Sequence, residues 1–333
     1  MRVSKRIAGL TGGGSDGWDI LRKSRQMIAD GVEVIELTVG EHDRRTEPEI
    51  LDEMDRSAHA GHTGYPAVPG INALRDAIAA RVTERTGVAT TRENDGVTPG
   101  AQSALFAAHT AACDPGDTAL FTDPYYTTYP GTIRGVGAIA RAVSAHVEVG
   151  FQPDAGDLAK AAPGARSLLI NSPNNPTGVV YARKTMDGIA EVAKEHDLWI
   201  ISDEVYDTQI WTGEHVSPRQ LPGMAERCLV AGSLSKSHAM TGSRLGWLVG
   251  PAEAMAHVEN LSTHTTSGVP GFIQDAGLFA LQQGHAFEDR ISAPFRRRHA
   301  AALAYLTKRG VPVVFFCDGE HVDYHKVSDE VFW

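Results

Sequence analysis

The chain has 333 residues, and its 31 lysines and arginines against 41 aspartates and glutamates give a formal net charge of −10. Hydrophobic residues make up 42% and charged residues 22% of the sequence, which is typical of a folded globular protein and excludes intrinsic disorder, coiled coil and collagen. The length predicts about two domains with a large core. The acidic balance argues against nucleic acid as a partner, because sequence-independent binding to phosphate backbones needs clustered lysines and arginines.

The cysteine and apolar patterns predict a cytoplasmic protein. Cys113, Cys228 and Cys317 are too far apart in the sequence to form a disulfide framework or a metal site, which is typical of a reducing compartment. The apolar stretch at residues 7–10 is too short for the core of a signal peptide, and no apolar run is long enough to span a bilayer. For the same reason, no membrane attachment is expected. The 14 histidines form no recognisable ligand set, so no metal site is expected either.

Helical patterns dominate the first quarter of the chain and return after residue 250. Residues 12–17 match the glycine pattern of dinucleotide-binding proteins, but no buried strand precedes them, so we interpret them as a loop. The β-rich stretch VEVIELTV (32–39) predicts a first strand. Helices are predicted, from the apolar spacing and in chain order, at residues 18–30, 47–60, 70–86, 251–260 and 271–307.

From about residue 95, short apolar runs alternate with segments of helix length. The clearest runs are TALFT (118–122), SLLIN (167–171), LWIIS (198–202), RCLVAG (227–232) and GWLVG (246–250). Continuous apolar strands separated by helices are typical of an α/β fold with a mainly parallel sheet and helices on both faces.

Polar, aromatic or titratable residues follow four of these runs directly. The four segments are DPYY (123–126), SPNNPTG (172–178), DEVY (203–206) and SLSKS (233–237). Because the carboxyl ends of parallel strands meet at one edge of a sheet, and ligands bind outside that edge, we expect these residues to form one site.

The residue types in these segments point to a specific chemistry. Lys236 lies among small residues, and a lysine in a tight apolar pocket has a lowered pKa and acts as a nucleophile. Taken alone, it is better explained as a surface lysine on a flexible loop. Arg244 could bind an anion beside Ser233 and Ser235. Asp203 could pair with a buried cation or cap the next helix.

Three further features also have a purely structural explanation when taken singly. Tyr126 and Tyr206 could be core aromatic residues, and residues 175–178 could form a turn. Taken together, a lysine, an anion site, a buried carboxylate, a phenol and a stacking aromatic are the groups needed to hold pyridoxal phosphate.

The chain resembles the class I and II, fold-type I, pyridoxal-phosphate-dependent aminotransferases. The matching stretches are LTVGEHD (37–43), GYPAVPG (64–70), TPGAQSAL (98–105), DPYYTTYPG (123–131), NSPNNPTG (171–178), SDEVY (202–206) and SLSKSHAMTGSRLGW (233–247). Within the family, three further stretches are most similar to members that transfer the amino group of L-arginine to pyruvate: GEHVSP (213–218), LPGM (221–224) and FIQDA (272–276). The resemblance implies an aminotransferase acting on an amino acid and a 2-oxo acid.

The resemblance also implies roles for single residues. Lys236 would carry the cofactor as an internal aldimine and move the proton between the substrate Cα and the cofactor. Asp203 would keep the pyridine nitrogen protonated, and with Tyr206 it completes the expected catalytic set. Asn175 and Tyr206 would hydrogen-bond the phenolic oxygen of the cofactor, and Tyr126 would stack on its ring.

The phosphate and the substrate have their own expected contacts. By the same resemblance, Ala101 and Gln102, at the start of a helix, would hold the phosphate together with Ser233, Ser235 and Arg244. Tyr65 would reach the phosphate of a neighbouring subunit, which implies a homodimer with shared sites. Gly40 and Asn175 would lie beside the substrate.

The expected domains are an N-terminal segment (1–44) that contributes to a small domain, a large cofactor-binding domain (45–290) and a truncated C-terminal small domain (291–333). Family members continue, after the long helix that here ends near Lys308, with an arginine that binds the substrate α-carboxylate, and no residue at 311–333 matches it. Two alternatives therefore stay open: a cofactor-binding remnant with impaired catalysis, and a fold-type I decarboxylase or lyase.

Overall fold

A seven-stranded sheet lies at the centre of the computed structural model, which describes residues 1–14, 18–36 and 38–309. Its strands are β1 (Asp95–Thr98), β2 (Thr118–Asp123), β3 (Ile139–Ser144), β4 (Ala165–Asn171), β5 (Trp199–Asp203), β6 (Cys228–Ser233) and β7 (Gly246–Val249). They are arranged in the order β1-β7-β6-β5-β4-β2-β3. The strands β6, β5, β4, β2 and β3 run parallel, whereas β7 is antiparallel to both of its neighbours. The predicted mainly parallel sheet is thus confirmed.

Helices precede, connect and follow the strands. In the described residues the α-helices are α1 (Lys5–Ala8), α2 (Asp19–Ala29), α3 (Pro48–His59), α4 (Asn72–Thr86), α5 (Ala101–Ala112), α6 (Tyr129–Gly135), α7 (Ala155–Ala161), α8 (Arg183–Glu195), α9 (Leu234–Ser237), α10 (Ala252–Thr263), α11 (Gly271–Gln282) and α12 (Gly284–Lys308). Short 3₁₀ helices occupy Arg92–Asn94, Val147–Val149, Pro218–Gln220, Ala225–Arg227 and Thr241–Ser243. None of the described helices is both long and apolar enough to cross a membrane.

The sheet is buried on both faces. Side chains alternate between the faces of a strand, so in β4 Leu168 and Ile170 belong to one hydrophobic core and Leu169 to the other. Helices α4, α8 and α11 contribute to the first core, and α5, α6 and α10 to the second. Because both faces are covered, the central strands read as continuous apolar runs in the sequence.

Several local predictions need correction. The predicted strand at 32–39 is wrong, since the described residues of this stretch form no strand and Ile35 is 86% exposed. A β-rich stretch becomes a strand only where a neighbouring edge is free to pair with it. The helical region 271–307 divides into α11 and α12 at Gly284, which has a positive φ of 67°. Strands β1 and β3 were missed because β1 has four residues and β3 lies at the edge, with only Val143 buried.

A network of four ion pairs joins α4, α12 and the loop after β5. Arg81 donates to Asp207 at 2.7 Å and to Glu288 at 2.9 Å, and Arg85 donates to the same two carboxylates at 3.1 Å and 2.5 Å. Burial opposes ionisation of Asp207, but the two guanidinium groups outweigh it and lower its pKa to about 2. The network therefore fixes the backbone position next to Tyr206.

Candidate active site

The carboxyl ends of β2, β4, β5 and β6 open into one cavity of about 490 Å³. The first residues of α5 and the stretch at residues 38–40 complete its wall. Every predicted site residue except Tyr65 lines this cavity, namely Gly40, Ala101, Gln102, Tyr126, Asn175, Asp203, Tyr206, Ser233, Ser235, Lys236 and Arg244. The expected convergence of strand ends is thus observed.

Lys236 is held on the four-residue helix α9, directly after β6. Its Nζ donates a hydrogen bond of 2.6 Å to the carbonyl oxygen of Gly40 and lies 5.8 Å from the centre of the Tyr206 ring. Burial lowers the pKa of the Lys236 amine, the charge of Arg244 lowers it further, and Glu41 acts in the opposite direction. These surroundings favour the neutral, nucleophilic amine.

Asp203 ends β5 and is 5% exposed. Its Oδ2 accepts a hydrogen bond of 2.8 Å from the Tyr129 hydroxyl, and its Oδ1 accepts one of 3.3 Å from the backbone N–H of Val205. Burial raises the pKa of Asp203 to about 6, although both hydrogen bonds favour the ionised form. No lysine, arginine or histidine in the described part of the chain pairs with it. A buried carboxylate of this kind suits a cationic or N–H group inside the cavity.

An anion site lies at the N-terminus of α5. Ala101 and Gln102 form the first turn of this twelve-residue helix, whose free N–H groups and dipole favour a negative charge. Arg244 also lines the cavity, and no carboxylate among the described residues forms an ion pair with it. Gly100 has a φ of 80°, and a Cβ atom there would overlap the Arg244 guanidinium. A side chain at position 100 would therefore displace the arginine.

Two serines extend the anion site. Ser233 caps α9, since its Oγ accepts a hydrogen bond of 3.0 Å from the backbone N–H of Ser235. The two hydroxyl groups lie 2.8 Å apart, and the Ser233 hydroxyl also donates to the carbonyl of Leu245 at 3.0 Å. The Gln102 amide, by contrast, is bonded to Thr132 at 2.7 Å, so its backbone is the more suitable ligand for an anion.

The amide and phenol groups of the cavity form a connected set. Asn175 Nδ2 donates to the Tyr206 hydroxyl at 3.4 Å, and the Asn175 backbone N–H donates to Asn171 Oδ1 at 2.7 Å. Asn171 in turn donates to the Asp203 carbonyl at 2.9 Å. Burial raises the pKa of Tyr206 to about 12, so its hydroxyl stays protonated and remains a donor.

Tyr126 and Tyr65 have different surroundings. Tyr126 lines the cavity, and its ring meets the Tyr129 ring edge-on with 5.8 Å between centroids. Tyr65 is 99% exposed and does not line the cavity of its own chain. The expectation that it serves a neighbouring subunit is not tested by a single chain.

The segment 40–46 contacts both α12 and the residues that follow α9, the helix that carries Lys236. Glu41 accepts a hydrogen bond of 2.9 Å from the Thr241 hydroxyl, and Thr46 donates to the Ala239 carbonyl at 2.8 Å. On its other side, Asp43 pairs with Arg298 of α12. The ring of His42 packs edge-on against Phe295 of α12, with 4.9 Å between the ring centroids.

Sequence reasoning missed several polar residues of the cavity, among them Tyr129 and Asn171. Tyr129 lies only three residues after Tyr126, but it belongs to α6 and not to the strand end on which the prediction relied. Asn171 is the last residue of the apolar run SLLIN, and an amide at the end of a buried strand was the available signal. The expected absence of a carboxylate-binding arginine concerns residues 310–333, which lie outside the described residues.

Comparisons with known proteins identify the family. Residues 32–314 match the sequence profile of the family described as Aminotransferase class I and II. Arginine–pyruvate transaminase AruH of Pseudomonas aeruginosa is 41% identical over 307 residues, which cover 92% of this chain and 78% of that protein. Aspartate/prephenate aminotransferase of Thermus thermophilus is 34% identical over 296 residues, covering 88% and 76%.

Solved structures agree with this assignment. Aspartate aminotransferase of Thermus thermophilus, determined with maleate, superposes with a TM-score of 0.89 at 33% identity and covers 96% of this chain and 84% of that one. Aspartate aminotransferase of Thermotoga maritima gives 0.87 at 34% identity, with coverage of 96% and 83%. Sequence profile, relatives and fold coincide. The chain therefore belongs to the class I and II aminotransferases, the fold-type I enzymes that transfer amino groups with pyridoxal 5′-phosphate.

Proposed function

We propose that the chain transfers an amino group between an amino acid, with L-arginine as the first candidate, and a 2-oxo acid such as pyruvate, and that Lys236 is the residue that binds the cofactor. The observation that carries this proposal is the pattern of charges in one cavity. A lysine of lowered pKa lines the same space as a buried carboxylate and an arginine, neither of which has a partner of opposite charge among the described residues.

Pyridoxal phosphate fits that pattern group by group. Its phosphate suits Arg244 and the first turn of α5, its ring nitrogen suits Asp203, and its aldehyde suits the amine of Lys236. When bound, the cofactor supplies an electron sink that stabilises the carbanion formed at the substrate Cα. The residues present therefore match the group that the family uses.

Lys236 is proposed to carry out the proton transfer. Its neutral amine can accept a proton from the substrate Cα and return it, which is general acid–base catalysis at Nζ. The Gly40 carbonyl, 2.6 Å from Nζ, holds the amine at the wall of the cavity formed by residues 38–40. Gly40 would also lie beside the substrate carboxylate, so the lysine and the substrate would share one anchoring segment.

The remaining residues are proposed to hold the ring. Asp203, ionised, stabilises a positive charge on the ring nitrogen, because an adjacent cation favours the charged carboxylate. Asn175 and Tyr206, already 3.4 Å apart, present an amide and a phenol to the phenolic oxygen of the cofactor. Tyr126 would cover one ring face. Ser235 would add a hydroxyl donor to the phosphate, and Ser233 would add one by turning its hydroxyl away from the Leu245 carbonyl.

We further propose a homodimer in which Tyr65 of one chain completes the phosphate site of the other. Its 99% exposure is compatible with this, since the phenol is free to contact a second chain. The division into segments 1–44, 45–290 and 291–333 is proposed on the same family basis. Its support is that the strands of the sheet all lie between residues 95 and 249 of the described chain.

The relatives supply the first substrate pair to test. The protein with 41% identity is named an arginine–pyruvate transaminase, and several other relatives are named aspartate aminotransferases. L-arginine with pyruvate is therefore the leading pair, and L-aspartate and L-alanine are the comparison donors.

The test is the absorption spectrum of purified protein with pyridoxal phosphate, before and after each amino acid is added. A lysine-bound absorption band that L-arginine converts to the amine form of the cofactor supports the proposal, with formation of alanine from pyruvate as the second readout. Lys236→Ala should lack the band, and Lys160→Ala, a change at an exposed lysine, should retain it.

Three outcomes would contradict the proposal. A band that no amino acid changes would favour the catalytically impaired remnant. Release of carbon dioxide without transfer to pyruvate would favour a decarboxylase. An unaltered band in Lys236→Ala would remove Lys236 from its proposed role.

A further inference from the structure

We propose that Tyr129 is a positioning residue that keeps Asp203 ionised and oriented toward the cavity. The inference rests on the proposed role of Asp203 and assigns a function to a residue outside the predicted site. It is carried by the direct hydrogen bond between the Tyr129 hydroxyl and Asp203 Oδ2.

Tyr129 is placed for this task by α6. It is the first residue of that helix and is 2% exposed, and its backbone N–H is bonded to the Tyr126 carbonyl at 3.0 Å. The backbone of Tyr129 is therefore fixed, and its hydroxyl contacts a residue at the end of β5 that lies 74 positions later in the sequence. Burial and the charge of Asp203 raise the pKa of Tyr129 well above its usual value, so the hydroxyl remains a donor at every physiological pH.

Within the described chain, Asp203 accepts two hydrogen bonds through its carboxylate, and Tyr129 provides the shorter one. The donor to Oδ1 is the Val205 N–H at 3.3 Å, against 2.8 Å for Tyr129. The other titratable groups that face Asp203 are Glu204, which disfavours its charge, and the phenols of Tyr126 and Tyr206. A phenol that donates to a carboxylate favours the ionised acid over the neutral one.

Two opposing effects thus meet at Asp203 in the cofactor-free protein. Burial favours the neutral acid, and the Tyr129 hydroxyl favours the carboxylate. Only the carboxylate can stabilise a proton on a ring nitrogen, because a neutral acid offers no negative charge to it. Without Tyr129, Asp203 would compete for that proton and the ring would be a weaker electron sink.

A purely structural role for Tyr129 makes a different prediction. In that case the ring fills the core, and the hydroxyl only needs to be hydrogen-bonded to some acceptor. Loss of the hydroxyl would then change the stability of the protein and leave the titration of Asp203 unchanged. Tyr181 provides the matched control: it is also buried, at 1% exposure, and its hydroxyl lies 3.2 Å from that of Thr122, away from the cavity lining.

The first experiment compares Tyr129→Phe and Tyr181→Phe in the cofactor-free protein. The carboxyl carbon of Asp203 is followed by NMR with ¹³C-labelled aspartate, and Asp203→Asn identifies its resonance. We expect Tyr129→Phe to raise the proton affinity of Asp203 by about tenfold, equivalent to about 1.4 kcal/mol. Tyr181→Phe should leave it unchanged. An unchanged Asp203 titration in folded Tyr129→Phe would overturn the proposal.

The second experiment uses the loaded protein and ¹⁵N-labelled pyridoxal phosphate. The ring-nitrogen shift should move toward the unprotonated value in Tyr129→Phe, and kcat should fall while the KM for the amino donor changes little. If Asp203→Asn leaves the ring-nitrogen shift unchanged, the proposed role of Asp203 fails, and the cofactor-free titration still decides the contact with Tyr129.

A third measurement covers the case in which Tyr129→Phe does not fold. In the wild-type protein, the Tyr129 hydroxyl proton should give a downfield, slowly exchanging resonance, because it is buried and bonded to a carboxylate. Asp203→Asn should shift this resonance upfield. A resonance that Asp203→Asn leaves in place would show that the hydroxyl is bonded elsewhere, and the proposal would be wrong.

Discussion

The amine of Lys236 and the carbonyl oxygen of Gly40 lie 2.6 Å apart, although 196 positions separate them in the chain. The lysine is thus bonded to a neutral backbone acceptor, and the charge that favours its protonation is that of Glu41. A carboxylate in direct contact would hold the amine as a cation. A carbonyl orients the amine and leaves its lowered pKa in place.

Asp203→Asn separates stability from activity. The pKa of Asp203, about 6, lies above the ordinary value of about 3.9, so the folded cofactor-free protein binds more protons than the unfolded chain between pH 4 and 6. Its stability therefore falls as the pH rises through that window. At pH 7, Asp203→Asn should increase the free energy of unfolding of the cofactor-free protein by about 3 kcal/mol, and it should reduce kcat by ~10²-fold or more.

Urea unfolding of both proteins at pH 4, 5, 6 and 7 checks the stability effect. The difference between wild type and Asp203→Asn should be small at pH 4 and largest at pH 7. A difference that is constant with pH would mean that the burial of Asp203 does not govern its titration.

Gly100→Ala should weaken the anion site. A Cβ atom at position 100 overlaps the Arg244 guanidinium, and the φ of 80° disfavours any side chain there. Gly87→Ala is the control, because Gly87 also has a positive φ, of 69°, but a Cβ atom meets nothing within 4 Å. Both changes should destabilise the protein by about 1–3 kcal/mol, while only Gly100→Ala should raise the Kd for pyridoxal phosphate, by at least ~10-fold.

Equilibrium dialysis gives the two dissociation constants, and inorganic phosphate serves as a second probe of the same site. Equal affinities for the cofactor in Gly100→Ala and Gly87→Ala would argue that Arg244 does not bind the phosphate.

Hybrid dimers test the proposed exchange of Tyr65. A Lys236→Ala subunit lacks its own amine but carries an intact Tyr65, and a Tyr65→Ala subunit carries the intact lysine. In a mixed dimer, one site would then receive both groups. Mixing and refolding the two variants in equal amounts should restore about a quarter of wild-type activity, since half of the dimers are hybrids with one complete site. Activity that stays at the level of the separate variants would contradict a shared site.

Asp207→Asn should destabilise the protein strongly. Asp207 accepts hydrogen bonds from Arg81 and Arg85, and removing its charge leaves two mostly buried guanidinium groups with Glu288 as their one ion-pair partner among the described residues. The expected loss is about 3–5 kcal/mol. Asp197→Asn is the control, because its ion pair with Arg227 involves a carboxylate that is 85% exposed and should contribute no more than about 1 kcal/mol.

The same network should make the stability of the protein fall in acid. The pKa of Asp207, about 2, lies below the ordinary value of about 3.9, so its contribution is complete above pH 4 and is lost as the pH falls toward 2. Thermal unfolding between pH 2 and 5 measures it. Asp207→Asn should flatten the acid side of the profile, and an unchanged acid limb would contradict the assignment.

Strand ends explain how much of the site could be read from the sequence. Asp203 and Lys236 each come after a buried apolar run. Such a run predicts a strand and also indicates where its carboxyl end lies. The predicted cavity residues were therefore obtained from local patterns together with the family resemblance. Tyr129 was missed because its contact with Asp203 depends on how α6 packs over the sheet, and no local pattern records that packing.

The errors in the fold have an equally physical origin. The stretch 32–39 has the β-branched residues of a strand, but the described residues there pair with no sheet edge. Strand β3 is a true strand with mostly exposed side chains, since it lies at the edge of the described sheet and pairs there with β2. Propensity reports a local preference, whereas pairing depends on the partner.

The segment 40–46 connects the Lys236 amine to an ion pair at the protein surface. Gly40 contacts Lys236, and three positions later Asp43 pairs with Arg298, where both side chains are more than half exposed. Exposed ion pairs weaken as salt is added. We therefore expect ionic strength, acting on the Asp43–Arg298 pair, to change the reactivity of Lys236. Substitutions on that helix could in the same way retune the enzyme without altering the cavity.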